Sequence, residues 1–227
     1  MRLKWTMLVA TVACGAALLP QMSFADSTVT LKLTTVGPSK DGIYIYPYGF
    51  TVNGSTATTG LMCLSFDQEI WTGESWTATV ASIPANDTVV PNLDATQQKE
   101  DAYLFSLLDN PSYSSAESQD ALQYAVWAVG EYSDVENYLV GYSDTTLWND
   151  ASSLVTQAQD AVNNGFTGAG YEIYIPVPGT QIPSGDGIPQ TFIGMAPAPE
   201  PSSLALFGTG LLGAVGVLKR KLRKAQA

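Results

Sequence analysis

"DATQQKEDAYLFSLLDN", residues 94–110, is where the chain changes its period. Asp94, followed three residues later by Gln97, has the spacing of a capping box that opens a helix. Tyr103, Leu104, Leu107 and Leu108 then recur at helical intervals along one side. Upstream the period is two. In "STVTLKLTTV" (27–36), Val29, Leu31 and Leu33 share one face, as in a half-buried strand. "GIYIYPYGF" (42–50) is aromatic and β-branched, with Pro47 marking an edge or a bend. "TVNGSTATTG" (51–60) carries an Asn-Gly turn, and "LMCLSF" (61–66) and "SWTATVA" (75–81) read as further strands.

Downstream of residue 94 two more helices are expected. Ser114 with Glu117 offers a second box before "SQDALQYAVWAVGEY" (118–132), whose stripe is Ala121, Leu122, Ala125, Val126 and Val129. A third spans 147–163 with Leu147, Ala151, Leu154, Val155, Ala158 and Val162 inward, ended by Gly165. "YEIYIPV" (171–177) and "QTFIGM" (190–195) return to strand across a Gly/Pro-rich loop, 178–189. Strands, then about three helices, then strands predict one α+β domain with an antiparallel sheet, as a sandwich or a barrel.

The ends have a different character. Arg2 and Lys4, an apolar stretch over 5–19, and Ser23-Phe24-Ala25 form a secretory signal peptide cut after Ala25. Cys14 leaves with it. At the other end, 204–218 is an apolar run of 15 residues, short for a membrane span. Lys219, Arg220, Lys221, Arg223 and Lys224 follow it, a cluster that stays on the cytoplasmic side. The expected organisation is a signal peptide (1–25), an exported α+β domain (26–195), a proline-rich linker (196–203), a short transmembrane helix (204–218) and a basic cytoplasmic tail (219–227). Between the two ends stand three lysines and all 21 acids, a formal −18. Such a domain repels nucleic acid.

Pro199-Glu200-Pro201, a short apolar helix and an Arg/Lys cluster resemble the PEP-CTERM sorting signal. The resemblance implies a transient inner-membrane anchor, processing by an exosortase, and delivery to the cell surface or an extracellular matrix. It gives an address for the domain and leaves its activity open.

The chain has no histidine, which excludes His-based triads and His metal sites. One remaining cysteine, Cys63, cannot build a structural zinc site. No phosphate-binding glycine loop occurs, and neither a metal nor a cofactor is implied. The domain is therefore expected to be non-enzymatic. A hydrolase using two of its many carboxylates is the exception still open, and it requires an acidic cleft. Asn53-Gly54-Ser55 and Asn86-Asp87-Thr88 are glycosylation sequons, compatible with a passive structural part in a biofilm matrix.

Three uses of Cys63 remain open: a small apolar core residue, an intermolecular disulfide, or a covalent partner of another kind. For the last, "MCLSFD" (62–67) followed by "LQYAVW" (122–127) resembles the bacterial surface thioester domains. Met62 and Cys63 match the strand segment. Gln123, Ala125, Val126 and Trp127 match the Gln-x-Ala-aliphatic-Trp segment, while Leu122 stands where that family usually has Thr. The resemblance implies an adhesin in which Cys63 and Gln123 form an internal thioester, with Trp127 and Asp67 shielding and supporting it. Its target would be a surface amine or a matrix polysaccharide.

Overall fold

The computed structural model describes residues 27–85, 90–180 and 188–196. The expected signal peptide, the Pro199-Glu200-Pro201 motif, the 204–218 span, the basic tail and the Asn86 sequon lie outside them. Eight strands form: β1 (Ser27–Thr35), β2 (Ser39–Lys40), β3 (Ile43–Tyr44), β4 (Tyr48–Val52), β5 (Thr58–Cys63), β6 (Ser75–Ser82), β7 (Tyr171–Pro176) and β8 (Phe192–Met195). β2 and β3 make a separate two-residue ribbon. The other six close into an antiparallel barrel in the order β1-β4-β5-β8-β7-β6, with β6 returning to β1. Of the two sheet forms expected, the chain takes the barrel.

Closure is driven by the alternating faces already visible in sequence. Leu31 and Leu33 are fully buried and pair with Val52 and Phe50 across β4. The Phe192 ring lies 4.7 Å from Phe50, 5.5 Å from Tyr48 and 6.3 Å from Trp76, so strands β4, β6 and β8 meet on one aromatic cluster. The turn between β4 and β5 uses Asn53 and Gly54, both at positive φ (52° and 72°), the conformation that an Asn-Gly pair tolerates best. Pro47 interrupts 42–50 as expected, dividing it into β3 and β4.

Three helices fill the connection from β6 to β7: α1 (Ala95–Ser106), α2 (Ala116–Gly141) and α3 (Thr145–Asn163). The Asp94–Gln97 capping box forms in both directions. Asp94 Oδ1 accepts from Gln97 N–H at 2.9 Å, and Gln97 Oε1 accepts from Asp94 N–H at 2.8 Å. The second box shifts by one residue. Ser114 closes a 3-10 turn with helical angles, and Ser115 is the extended residue whose hydroxyl accepts from Ser118 N–H at 3.2 Å. α3 starts two residues earlier than expected, at Thr145, capped by Asp144. Val162 is only half-buried.

α2 departs most from the sequence pattern. It runs through Gly130 and a non-helical Glu131 (φ −131°, ψ 46°) to Gly141, past the expected end at Tyr132. Residues 121–129 are buried without a break. An amphipathic stripe was expected there, but this half of α2 lies enclosed on every side. The buried face of α1 is also more polar than expected. Gln98, Glu100 and Asp101 are buried beside Ala102, Leu104 and Phe105, whereas Tyr103 and Leu108 are half-exposed.

Asp101 is fully buried, and neither carboxyl oxygen has a hydrogen-bond partner. Burial pushes its carboxyl well above the ordinary range, and the neighbouring Glu100 adds to this. The folded state thus holds that proton more tightly than the unfolded chain. The group's contribution is full below the unfolded value and fades as pH rises through the elevated folded value. Asp101→Asn is therefore expected to raise the urea midpoint near neutrality and to change it little at about pH 4. Phe192→Ala, which empties the centre of the barrel, should cost about 3–5 kcal/mol in the same denaturation experiment.

Candidate functional site

Cys63 is the last residue of β5, opposite Phe192 on β8. Paired residues of an antiparallel ladder share a face, so the thiol and the Phe192 ring lie on the same side of the sheet. α2 packs against this end of β5, and it brings Gln123 there. The Gln123 side-chain nitrogen donates to the Cys63 carbonyl at 2.8 Å, across 60 residues of sequence. Both residues are fully buried. The Gln123 carbonyl oxygen, Oε1, has no hydrogen-bond partner. A buried unpaired acceptor of this kind costs about 1–3 kcal/mol.

The thiol donates to the Ser65 carbonyl at 3.2 Å. Burial pushes it up to about 12. The Trp127 indole N–H and the Ser65 contact oppose that rise, and the Glu131 and Asp67 carboxylates add to it. Trp127 is 1 % exposed and lies one turn beyond Gln123. Its N–H is near enough to favour the thiolate, yet it meets no acceptor in ordinary hydrogen-bond geometry. The Trp127 ring also contacts Phe66 at 5.4 Å and Tyr124 at 5.2 Å, forming an aromatic cluster.

The loop after Cys63 is fastened from two sides. On one, Leu64 N–H donates to Thr191 O at 2.8 Å, Thr191 N–H donates to Ser65 Oγ at 3.1 Å, and Gln190 donates to the Ser65 and Gln68 carbonyls. On the other, Glu131 Oε1 accepts from Phe66 N–H at 3.2 Å. Burial raises the Glu131 carboxyl, and the Phe66 hydrogen bond partly offsets this.

The structure thus brings Cys63, Gln123 and Trp127 together. Asp67 is exposed on the same loop, acting on the thiol through its charge. Sequence reasoning passed over Ser65, Phe66, Glu131 and Gln190. Glu131 had a usable signal, since Gln123, Trp127 and Glu131 recur every four residues on one helix face. Gln190 had none, because only closure of the barrel carries it to the loop.

Residues 197–221 match the PEP-CTERM protein-sorting motif. The chain therefore carries the signal of an exported protein that is sorted by an exosortase, and its processing includes a membrane-associated step. Comparison with curated proteins and with solved structures yields no match. No helix among the described residues is long and apolar enough to cross a membrane.

In Gln123→Leu the thiol stays free. Its alkylation by iodoacetamide at about pH 8 should be roughly a thousandfold slower in the folded protein than in urea, because burial suppresses the thiolate.

Proposed function

We propose that this chain is a non-enzymatic surface adhesin in which Cys63 and Gln123 form an internal thioester that captures an amine. The reading is carried by one observation: the Gln123 amide donates to the backbone carbonyl of Cys63, which places the amide beside the residue that bears the thiol, with both residues shut away from water. The Cys63 sulfur attacks the Gln123 amide carbon, an S–C bond forms and the C–N bond breaks. The thiol proton leaves with the amide NH₂ as ammonia. An arriving amine then forms an amide with the Gln123 carbonyl carbon, the S–C bond breaks, and one of the amine's own protons passes to the sulfur. Positioning would be the protein's main contribution, since two groups held on neighbouring buried residues can react as an intramolecular pair. Trp127, Phe66 and Tyr124 exclude water, which would otherwise hydrolyse the bond.

After export and exosortase processing, the domain would stand on the cell surface or in the extracellular matrix. A passive matrix protein is the second reading. It is favoured by the thiol's hydrogen bond to Ser65 and its raised proton affinity, both of which suit an inert core cysteine.

Incubating the exported protein with methylamine tests the proposal. Relative to the untreated protein, one equivalent should add about 31 Da. Cys63→Ala and Gln123→Leu should add nothing. An unchanged wild-type mass contradicts the thioester and leaves the matrix reading.

A further inference from the structure

The loop that follows Cys63 also walls a pocket of about 240 Å³, bounded by the β3 ribbon at Ile43 and Tyr44, by loop residues 66–71, and by Tyr48 and Gln190. This is slightly below the roughly 300 Å³ at which small-molecule pockets begin, so it suits one ring of a longer ligand. Three features of its wall are complementary to a single kind of ligand.

The first is aromatic. Trp71 is 54 % exposed and Tyr44 46 % exposed, unusual values for such large apolar side chains. Trp71 is not loosely held. Its backbone N–H donates to Glu74 Oε2 at 2.9 Å, Glu74 N–H returns to Trp71 O at 3.1 Å, and Gly73 N–H donates to Leu33 O on β1 at 2.8 Å. The loop is tied to the barrel at Gly73 and Glu74, so the backbone that carries the exposed indole is held in place.

The second feature is charge. Asp67 and Glu69 are exposed lining residues, and no lysine or arginine lines the pocket among the described residues. The third is an acceptor. Gln190 is 6 % exposed, and its nitrogen is committed to the Ser65 and Gln68 carbonyls. This leaves the Gln190 carbonyl oxygen, Oε1, without a donor, on a side chain that lines the pocket. A buried acceptor without a donor is a site for a ligand O–H or N–H.

We infer that this pocket binds, noncovalently, an amino-sugar unit of a polysaccharide. The apolar face of the pyranose ring lies on Trp71. The ammonium group pairs with Asp67 and Glu69 and gains from the aromatic faces. A ring hydroxyl donates to Gln190. An ammonium at the end of a methylene chain satisfies the carboxylates but supplies neither the ring face nor the hydroxyl. Anionic polysaccharides are rejected by the same carboxylates and by the −18 of the exported part. The inference extends the capture reading by naming what is captured, and it rests on that reading only for a later covalent step.

The test is calorimetric titration of the exported protein with a glucosamine tetramer, alongside Cys63→Ala, which can form no thioester. Both should bind with equal affinity. Trp71→Ala and the double variant Asp67→Asn/Glu69→Gln should each weaken binding about ten-fold or more at unchanged thermal stability. The affinity of the wild type should also fall with added salt. Absence of binding, equal binding of the N-acetylated tetramer, or unchanged affinity in Trp71→Ala overturns the inference. So does tighter binding of a lysine peptide, which assigns the pocket to a protein partner. Failure of the thioester alone leaves the Cys63→Ala titration unaffected, so the two proposals are decided separately.

Discussion

The hydrogen bond from the Gln123 amide to the Cys63 carbonyl joins the two halves of the molecule. It is a polar tie between a helix enclosed on every side and the terminal residue of a barrel strand, made where no water can substitute. A glutamine among Ala121, Leu122, Ala125 and Val126 needs such a partner, because a buried amide with neither group satisfied would be expensive. The tie satisfies the nitrogen and leaves the oxygen unpaired. A residue kept for packing alone would be better served by an apolar side chain of the same size. This unpaired acceptor beside a buried thiol is what the thioester proposal rests on.

Much of the surrounding architecture follows from that position. α2 departs from helical angles where it fastens the loop after Cys63. It breaks its angles at Glu131, whose carboxylate takes the Phe66 N–H. Gln190 and Thr191 hold the loop from β8. The result is a strap of chain fastened at several points, which follows the buried thiol and whose residues 66–71 line a pocket with Tyr44 and Gln190. Buried acids recur elsewhere in the fold. Burial raises the carboxyls of Asp101, Glu100, Glu131 and Glu172, and none of them has a cationic partner among the described residues. Lys40, held between Asp144 and Asp41, makes the two ion pairs there.

Local chemistry was legible from sequence, and long-range closure was not. The Asp94–Gln97 box, the Asn53-Gly54 turn, the break at Pro47 and the period-two face of Leu31 and Leu33 all involve neighbours within a few residues. The pairing of Cys63 with Gln123 was legible only through the resemblance of "MCLSFD" and "LQYAVW" to the surface thioester domains, since no local period links residues 60 positions apart. Closure of the barrel depends on Met62 and Cys63 meeting Ile193 and Phe192, a contact that no local period encodes. The polar buried face of α1 escaped for a related reason: Gln98 satisfies Ala85 N–H and Leu93 O, partners that only the tertiary fold supplies. α2 runs on past the expected segment's end at Tyr132 to Gly141, and α3 packs along it.

The most direct measurement is the intact mass of the untreated exported protein. A Cys63–Gln123 thioester predicts a mass lower than the sequence value by one ammonia, about 17 Da, with the deficit absent in Cys63→Ala. Full sequence mass, with one thiol that titrates on unfolding, contradicts it.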